Sequence, residues 1–318
     1  MTCDWCPQKC TEQFPACFQR YRGSTDKKNP GNIHELHILA QRIKPKYYDG
    51  IELDYAHRLA ANKNITCNWV WSHTRPSGFR FGGIYSLRLY DDFLQQTPTI
   101  MADINPTTLA SNVSIIFYPH NALRLEAAMQ RAAAEEPLQT QTTIELIRPA
   151  TTVSWNMYNV RADSGRSTIS IMRSITKSWA LGAELLLEWN DPRSLMTDTA
   201  LALRYSKYNY QVAASASRQG LDLSFWQRIH QRIQMATMLA WHRKTNMTIA
   251  TICYQWDFDD AVVRSMVNSD LSVGFQYYRS LPHIPCGMGL SALISLLNNR
   301  FAFGLKFVLD PSGQRRGE

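Results

Sequence analysis

The sequence predicts an all-β fold, a transmembrane β-barrel of about nineteen strands, and three observations predict it. From about Tyr48 to Asp310, apolar residues alternate with small or polar ones, with one helical stripe before them. The alternating segments run to about 10 to 14 residues, the length a tilted strand needs to cross a bilayer, whereas soluble strands average about five or six. Aromatic residues (Trp69, Trp71, Tyr85, Trp179, Trp189, Tyr205, Trp241 and Tyr277) fall on the apolar faces, several toward segment ends where an interfacial girdle belongs.

Residues 1 to 29 mix polar residues, Pro and Cys without a period and predict a flexible segment. Cys3, Cys6, Cys10 and Cys17 cluster there, while Cys67, Cys253 and Cys286 stand singly. One Cys-x-x-Cys without a second knuckle favours reduced thiols over zinc. The start lacks a basic flank and an apolar core, and no run of 18 apolar residues occurs, so neither a secretory route nor a helical anchor is expected.

A single helix is predicted next. Asn29-Pro30-Gly31-Asn32 forms a turn with a capping residue, Ile33, Leu36, Ile38, Leu39 and Ile43 approximate a helical stripe, and Pro45 stops it. His34 and His37 are three apart on this helix, but no acidic or Cys partner stands at ligand spacing, so packed or exposed histidines are favoured over a metal. The division expected is a flexible segment at 1–29, a pore helix and lead-in at 30–46, a barrel at 47–310 and a tail at 311–318.

The strands then follow one another with hardly a gap. In the first half they are placed at 48–59, 65–74, 78–87, 99–108, 110–121, 123–132, 137–149, 150–159 and 167–176. The second half gives 178–190, 197–207, 209–220, 221–230, 233–244, 246–257, 261–270, 271–281, 284–297 and 300–310. Trp179, Leu181, Ala183, Leu185, Leu187 and Trp189 make one face of a strand against Ser178, Ala180, Gly182, Glu184, Leu186 and Glu188. Phe301, Phe303, Leu305, Phe307 and Leu309 oppose Arg300, Ala302, Gly304 and Lys306 in the same way. A propeller is the main soluble competitor, but no repeat of 40 to 50 residues recurs. A mean hydropathy of -0.30 does not decide the matter, because a membrane barrel gives lipid only alternate residues.

Motifs for covalent chemistry are missing, and no enzyme or cofactor is predicted. Gly287-Met288-Gly289-Leu290-Ser291-Ala292 matches a dinucleotide fingerprint, yet only 26 residues follow it, too few for the parallel strands such a site needs. Asp91-Asp92, Glu135-Glu136 and Asp259-Asp260 lie between strands and read as solvated turns. Asn64, Asn112 and Asn246 head glycosylation patterns that need a secretory route. The net charge of +8 suits an anionic surface, but the basic residues are dispersed, so a nucleic-acid partner is not expected.

Certain residues also carry a family likeness. Asn29-Pro30-Gly31 with Glu35, then Pro45 and Gly50 leading into Ile51-Glu52-Leu53, resembles the start of the forty-kilodalton channel-forming subunits of the translocase of the outer mitochondrial membrane. Leu181-Gly182-Ala183-Glu184-Leu185 is similar to that family's middle strand, and Asn299-Arg300-Phe301 through Gly304 to Leu309 to its last. The resemblance implies a nineteen-stranded barrel of the mitochondrial porin superfamily, first and last strands parallel, with a helix inside the pore. It also implies a protein-conducting function in the mitochondrial outer membrane. Presequence-bearing precursors, a central receptor, small helical subunits and a homodimeric pore are the partners it implies. A carboxy-terminal sorting signal is implied too, with Gly304, Phe307 and Leu309 in place and Ala302 where a polar residue belongs.

Alternation turns Glu52, Asp54, Glu126, Glu145, Glu184 and Glu188 away from lipid, and these are the candidate lining of a path for basic targeting segments. Arg58, Arg80, Arg88, Arg124, Arg204 and Lys306 point inward as well, which supports a rival reading as a metabolite-conducting anion channel. A soluble all-β binding protein is the rival from another class.

Overall fold

The structure, a computed structural model, describes residues 29–60, 62–72, 77–87, 98–132, 137–161, 163–191, 194–281, 284–297 and 299–310. The Cys3/Cys6/Cys10/Cys17 cluster, Arg88, Asp91-Asp92 and Glu135-Glu136 lie outside them. Nineteen strands follow one another: β1 (Gly50–Ala60), β2 (Lys63–Trp71), β3 (Gly78–Ser86), β4 (Thr99–Ile104), β5 (Ser111–His120), β6 (Leu123–Arg131), β7 (Gln139–Ile147), β8 (Thr151–Tyr158) and β9 (Gly165–Ser174). After them come β10 (Trp179–Asp191), β11 (Ser194–Lys207), β12 (Tyr210–Ser217), β13 (Gly220–His230), β14 (Ile233–His242), β15 (Met247–Asp257), β16 (Ala261–Asn268), β17 (Ser272–Leu281), β18 (Cys286–Ser295) and β19 (Arg300–Leu309). Each pairs antiparallel with its sequence neighbour, and β1 closes the ring by pairing parallel with β19, Gly50 opposite Gly304 and Glu52 opposite Lys306. An odd number of strands forces this: antiparallel alternation leaves the first and last strands running the same way. The fingerprint-like glycines lie within β18, as a strand, with no helix after them among the described residues.

Alternation sets the two faces. Outside, Phe301 and Phe303 of β19, Leu181 and Leu185 of β10, and Ile169 and Ile171 of β9 are exposed, a surface whose solvent is hydrocarbon. Their neighbours Val308, Leu186, Ala180, Thr168 and Ser170 are buried inside. The outward aromatics collect toward strand ends. Trp71, Trp189 and Trp241 lie toward the rim where β1 begins, called here the first rim. Tyr85, Trp179, Tyr205 and Trp256 lie toward the second rim, where β19 ends.

The predicted helix is shorter and broken: a 3-10 turn at Ile33–Glu35 is followed by α1 (Ile38–Ile43). Six residues make too few turns to be stable alone, so packing has to hold them. Leu36 and Ile43 are each 1% exposed, worth about 1.5–3 kcal/mol apiece by transfer. Ile33 and Leu36 cluster with Met172, Ala180, Ala202 and Ala213, and Ala40 and Ile43 with Trp226, Ala236, Cys253 and Met266. The wall beneath is made of small residues so that the segment fits; at Gly182 a Cβ would stand 2.8 Å from Ile33.

Residues 29–49 thus cross the lumen. Asn29 sits by the second rim, donating from Nδ2 to the Arg148 carbonyl at 2.7 Å and accepting from Thr152 at 2.9 Å. The segment then runs past β9 to β18 before entering β1 at Gly50, whose φ of +88° makes the turn into the wall. The strand starts there rather than at residue 48, because Tyr48 is engaged inside the lumen.

Candidate functional site

The lumen is the candidate site, and its lining divides into two arcs. Along β7–β18 the buried inward residues are mostly Ser, Thr and Ala, and the segment 29–49 lies on them. Asn32 Nδ2 donates to Glu145 at 2.6 Å, and its Oδ1 accepts from Ser154 at 3.1 Å. Asn156 and His34 are 2.6 Å apart, and Gln211 donates to the Leu36 carbonyl at 3.0 Å. His37 bonds Ser224 at 2.7 Å and Ser215 at 3.2 Å. Burial pushes the His37 imidazole below its ordinary pKa, against a smaller opposing pull from Asp222. Of the two histidines that the sequence placed three apart, His37 is half-buried and hydrogen-bonded while His34 is exposed beside Asn156, and among the described residues no group of three metal-ligating side chains assembles.

From β19 through β1 to β6 the lining is charged, and the charges are paired. Lys306 Nζ reaches Glu52 at 3.0 Å and Asp54 at 2.6 Å. The Asn68 amide donates to both carboxylates. Arg80 pairs with Asp103 at 3.1 Å. Arg124 joins Glu126 at 2.5 Å and Glu145 at 3.1 Å. All six candidate acids face inward, but they are not equivalent. Glu145 is 1% exposed and sealed under Asn32, so a passing chain does not meet it in this arrangement. Glu52 and Asp54 are neutralised by Lys306 on the adjacent strand and Glu126 by Arg124 on its own strand.

Glu184 and Glu188 differ in lying outside these pairs, with Arg166 opposite Glu188 in the β9–β10 register. They line a recess of about 640 Å³ toward the first rim together with His34, Tyr158, Arg166, Thr168 and Asn190. Sequence reasoning missed Arg166 and His34 here, although alternation along β9 turns Arg166 toward the same face as Thr168. It also missed Asp103, the partner of Arg80, for which inward alternation on β4 was the available signal. Of the inward bases, Arg80, Arg124 and Lys306 are consumed by these pairs, and Arg204 approaches Gly31 and feels the charge of Glu35. The arrangement buries the Ser224 hydroxyl that His37 contacts beneath the docked segment. It offers a wet conduit with dispersed, partly neutralised charge.

A model of the eukaryotic porin family, "Eukaryotic porin", matches residues 29–304. "Mitochondrial import receptor subunit TOM40 homolog 2" of Drosophila melanogaster is 23% identical over 282 residues, 87% of this chain and 82% of that protein. "Mitochondrial import receptor subunit TOM40B" of Homo sapiens is 23% identical over 294 residues, 88% of this chain and 92% of that protein. Among solved structures, a mutant porin of Rh. blastica aligns with a TM-score of 0.47 at 13% identity, covering 70% of this chain and 94% of that one.

Proposed function

The chain belongs to the eukaryotic porin family, and from that premise we propose that it is a protein-conducting channel of the mitochondrial outer membrane, through which cytosolically made precursors pass. The observation that carries this is the kinship, over nearly the whole barrel, with import receptor subunits, joined to a nineteen-strand ring with a segment docked along one arc only. Such a pore does no covalent chemistry. An unfolded chain passes a wetted wall whose contacts are weak, and direction comes from partners and driving forces on the far side.

Within this reading the chain works in a translocase complex. A central receptor, small helical subunits and a second copy of the pore are its neighbours, and Gly304, Phe307 and Leu309 form its sorting signal. Residues 1–29 and 311–318 act as flanks, 30–46 as the pore helix and lead-in, and 47–310 as the barrel. Glu184 and Glu188 are the residues of the path that meet basic targeting segments; Glu52, Asp54 and Glu126 contribute less because their cations are beside them, and Glu145 holds the docked segment. A metabolite-conducting anion channel is the second reading, favoured by the net charge of +8 and by the pairing of those acids.

Reversal potentials across reconstituted bilayers with asymmetric salt, taken with and without a basic presequence peptide, separate the two. The import reading predicts block of the current by peptide, weakened by Glu184→Gln with Glu188→Gln and by added salt, since charges further apart than about 8 Å are screened at 0.15 M. Anion selectivity with no peptide block contradicts it.

A further inference from the structure

One join in this barrel is parallel. Parallel ladders are slightly less stable per residue than antiparallel ones, and β1 and β19 meet over a six-residue register from Gly50 opposite Gly304 to Tyr55 opposite Leu309. Over this seam, on its lumenal side, lies Tyr48, two residues before β1 begins.

Its contacts tie four strands together. The Tyr48 backbone N–H donates to Ser291 Oγ of β18 at 2.8 Å, and the same hydroxyl donates to the Tyr48 carbonyl at 3.1 Å. The phenol oxygen accepts from Gln276 Nε2 of β17 at 2.7 Å. Lys306 Nζ of β19 stands 5.1 Å from the centre of the ring, within cation–π range, while the same ammonium pairs with Glu52 and Asp54 of β1. Tyr48 is 8% exposed. At Gly304 a Cβ would collide with the Tyr48 backbone, and at Gly289 it would stand 3.5 Å from the ring. Gly304, where a side chain has no room beside the Tyr48 backbone, and Lys306, which caps the ring, form a socket fitted to this residue.

We propose that Tyr48 is the closure staple of the barrel: its seating in the Gly304/Lys306/Ser291/Gln276 socket locks β17, β18 and β19 onto β1 and fixes the register of the parallel seam. Lys306 sets that register from the other side. A slip of two residues keeps every face correct, but it moves the ammonium away from either Glu52 or Asp54 and moves Gly304 from beneath Tyr48. The glycine of the last strand then has a structural duty in the finished barrel, separate from any part it plays in sorting. Tyr48 belongs both to the lumenal segment and to the seam.

Hydrogen–deuterium exchange of the full chain in lipid nanodiscs tests this. Tyr48→Ala is expected to raise amide exchange in peptides covering 50–58 and 300–309 by about ten-fold or more, leaving 139–147 in the far wall unchanged. Ser291→Ala with Gln276→Met, which spares Tyr48 itself, is expected to give the same pattern at smaller size, and decides the matter should Tyr48→Ala fail to assemble. Unchanged exchange at the seam overturns the proposal. An equal rise at the seam and at 139–147 also overturns it, since Tyr48 would then be an ordinary packing residue.

Discussion

The arc from β7 to β18 and the arc from β19 through β1 to β6 face the same lumen with the same alternation, yet they are built from different residues. The first is lined by Ser154, Ser170, Ala180, Gly182, Ala202, Ala213 and Ala236, and a docked segment fills the space these small side chains leave. The second carries Lys306 with Glu52 and Asp54, Arg80 with Asp103, and Arg124 with Glu126. Inward-facing is therefore not one environment. Where the segment covers the wall, as at Glu145 under Asn32 and Lys306 under Tyr48, an ion pair is largely dry; at Arg80 with Asp103 the pair is wet and its energetic weight is small.

Two substitutions sharpen that contrast. Glu145→Ala removes a carboxylate that is 1% exposed, takes the acceptor from Asn32 Nδ2 and leaves Arg124 with Glu126, so it is expected to destabilise the barrel by about 1–3 kcal/mol. Asp103→Ala breaks a pair of similar length whose side chains are 43% and 34% exposed, and is expected to cost about 0–1 kcal/mol. Thermal unfolding in detergent, followed by loss of the fast-migrating folded band, measures both. Equal costs break the comparison.

A second test concerns which face meets lipid. Leu185→Arg is expected to cost about 2–4 kcal/mol near the membrane midplane and to impair assembly, whereas Glu184→Arg, one residue away and turned into the recess, is expected to assemble normally. Insertion yield in isolated mitochondria reads the difference.

The strands were legible because alternation is a local signal: β10 was expected at 178–190 and lies at Trp179–Asp191, and β19 was expected at 300–310 and lies at Arg300–Leu309. The lumenal helix was legible as a stripe, but its break after Glu35 was not, since Leu36 and His37 are shaped by Gln211, Ser215 and Ser224 from strands far along the chain. The same limit applies to the charges. Alternation shows that Glu145 points inward; it does not show that Asn32 lies over it. Nor does it separate Glu184 from Glu52, whose cation comes from the other end of the sequence at Lys306.

The smallest expected effect is a pH dependence confined to the covered arc. Because burial lowers the His37 pKa in the folded state, the folded form binds this proton less readily than the unfolded form does. The site carries no penalty above the unfolded value of about 6.5, and docking of the segment weakens as pH falls below it. Protease sensitivity of residues 33–43 is expected to rise between pH 7.5 and pH 5, and His37→Gln is expected to flatten that rise.

The central claim is that an unfolded precursor passes through this lumen, and crosslinking from within it is the most direct measurement. A photo-reactive amino acid at position 184 or 80, facing the lumen, or at 185 or 81, facing lipid, is combined with a precursor arrested by a ligand-stabilised folded domain. Adducts from 184 and 80 with none from 185 and 81 are predicted. Assembled barrels that give no adduct from 184 or 80, or equal adducts from both faces, contradict the account.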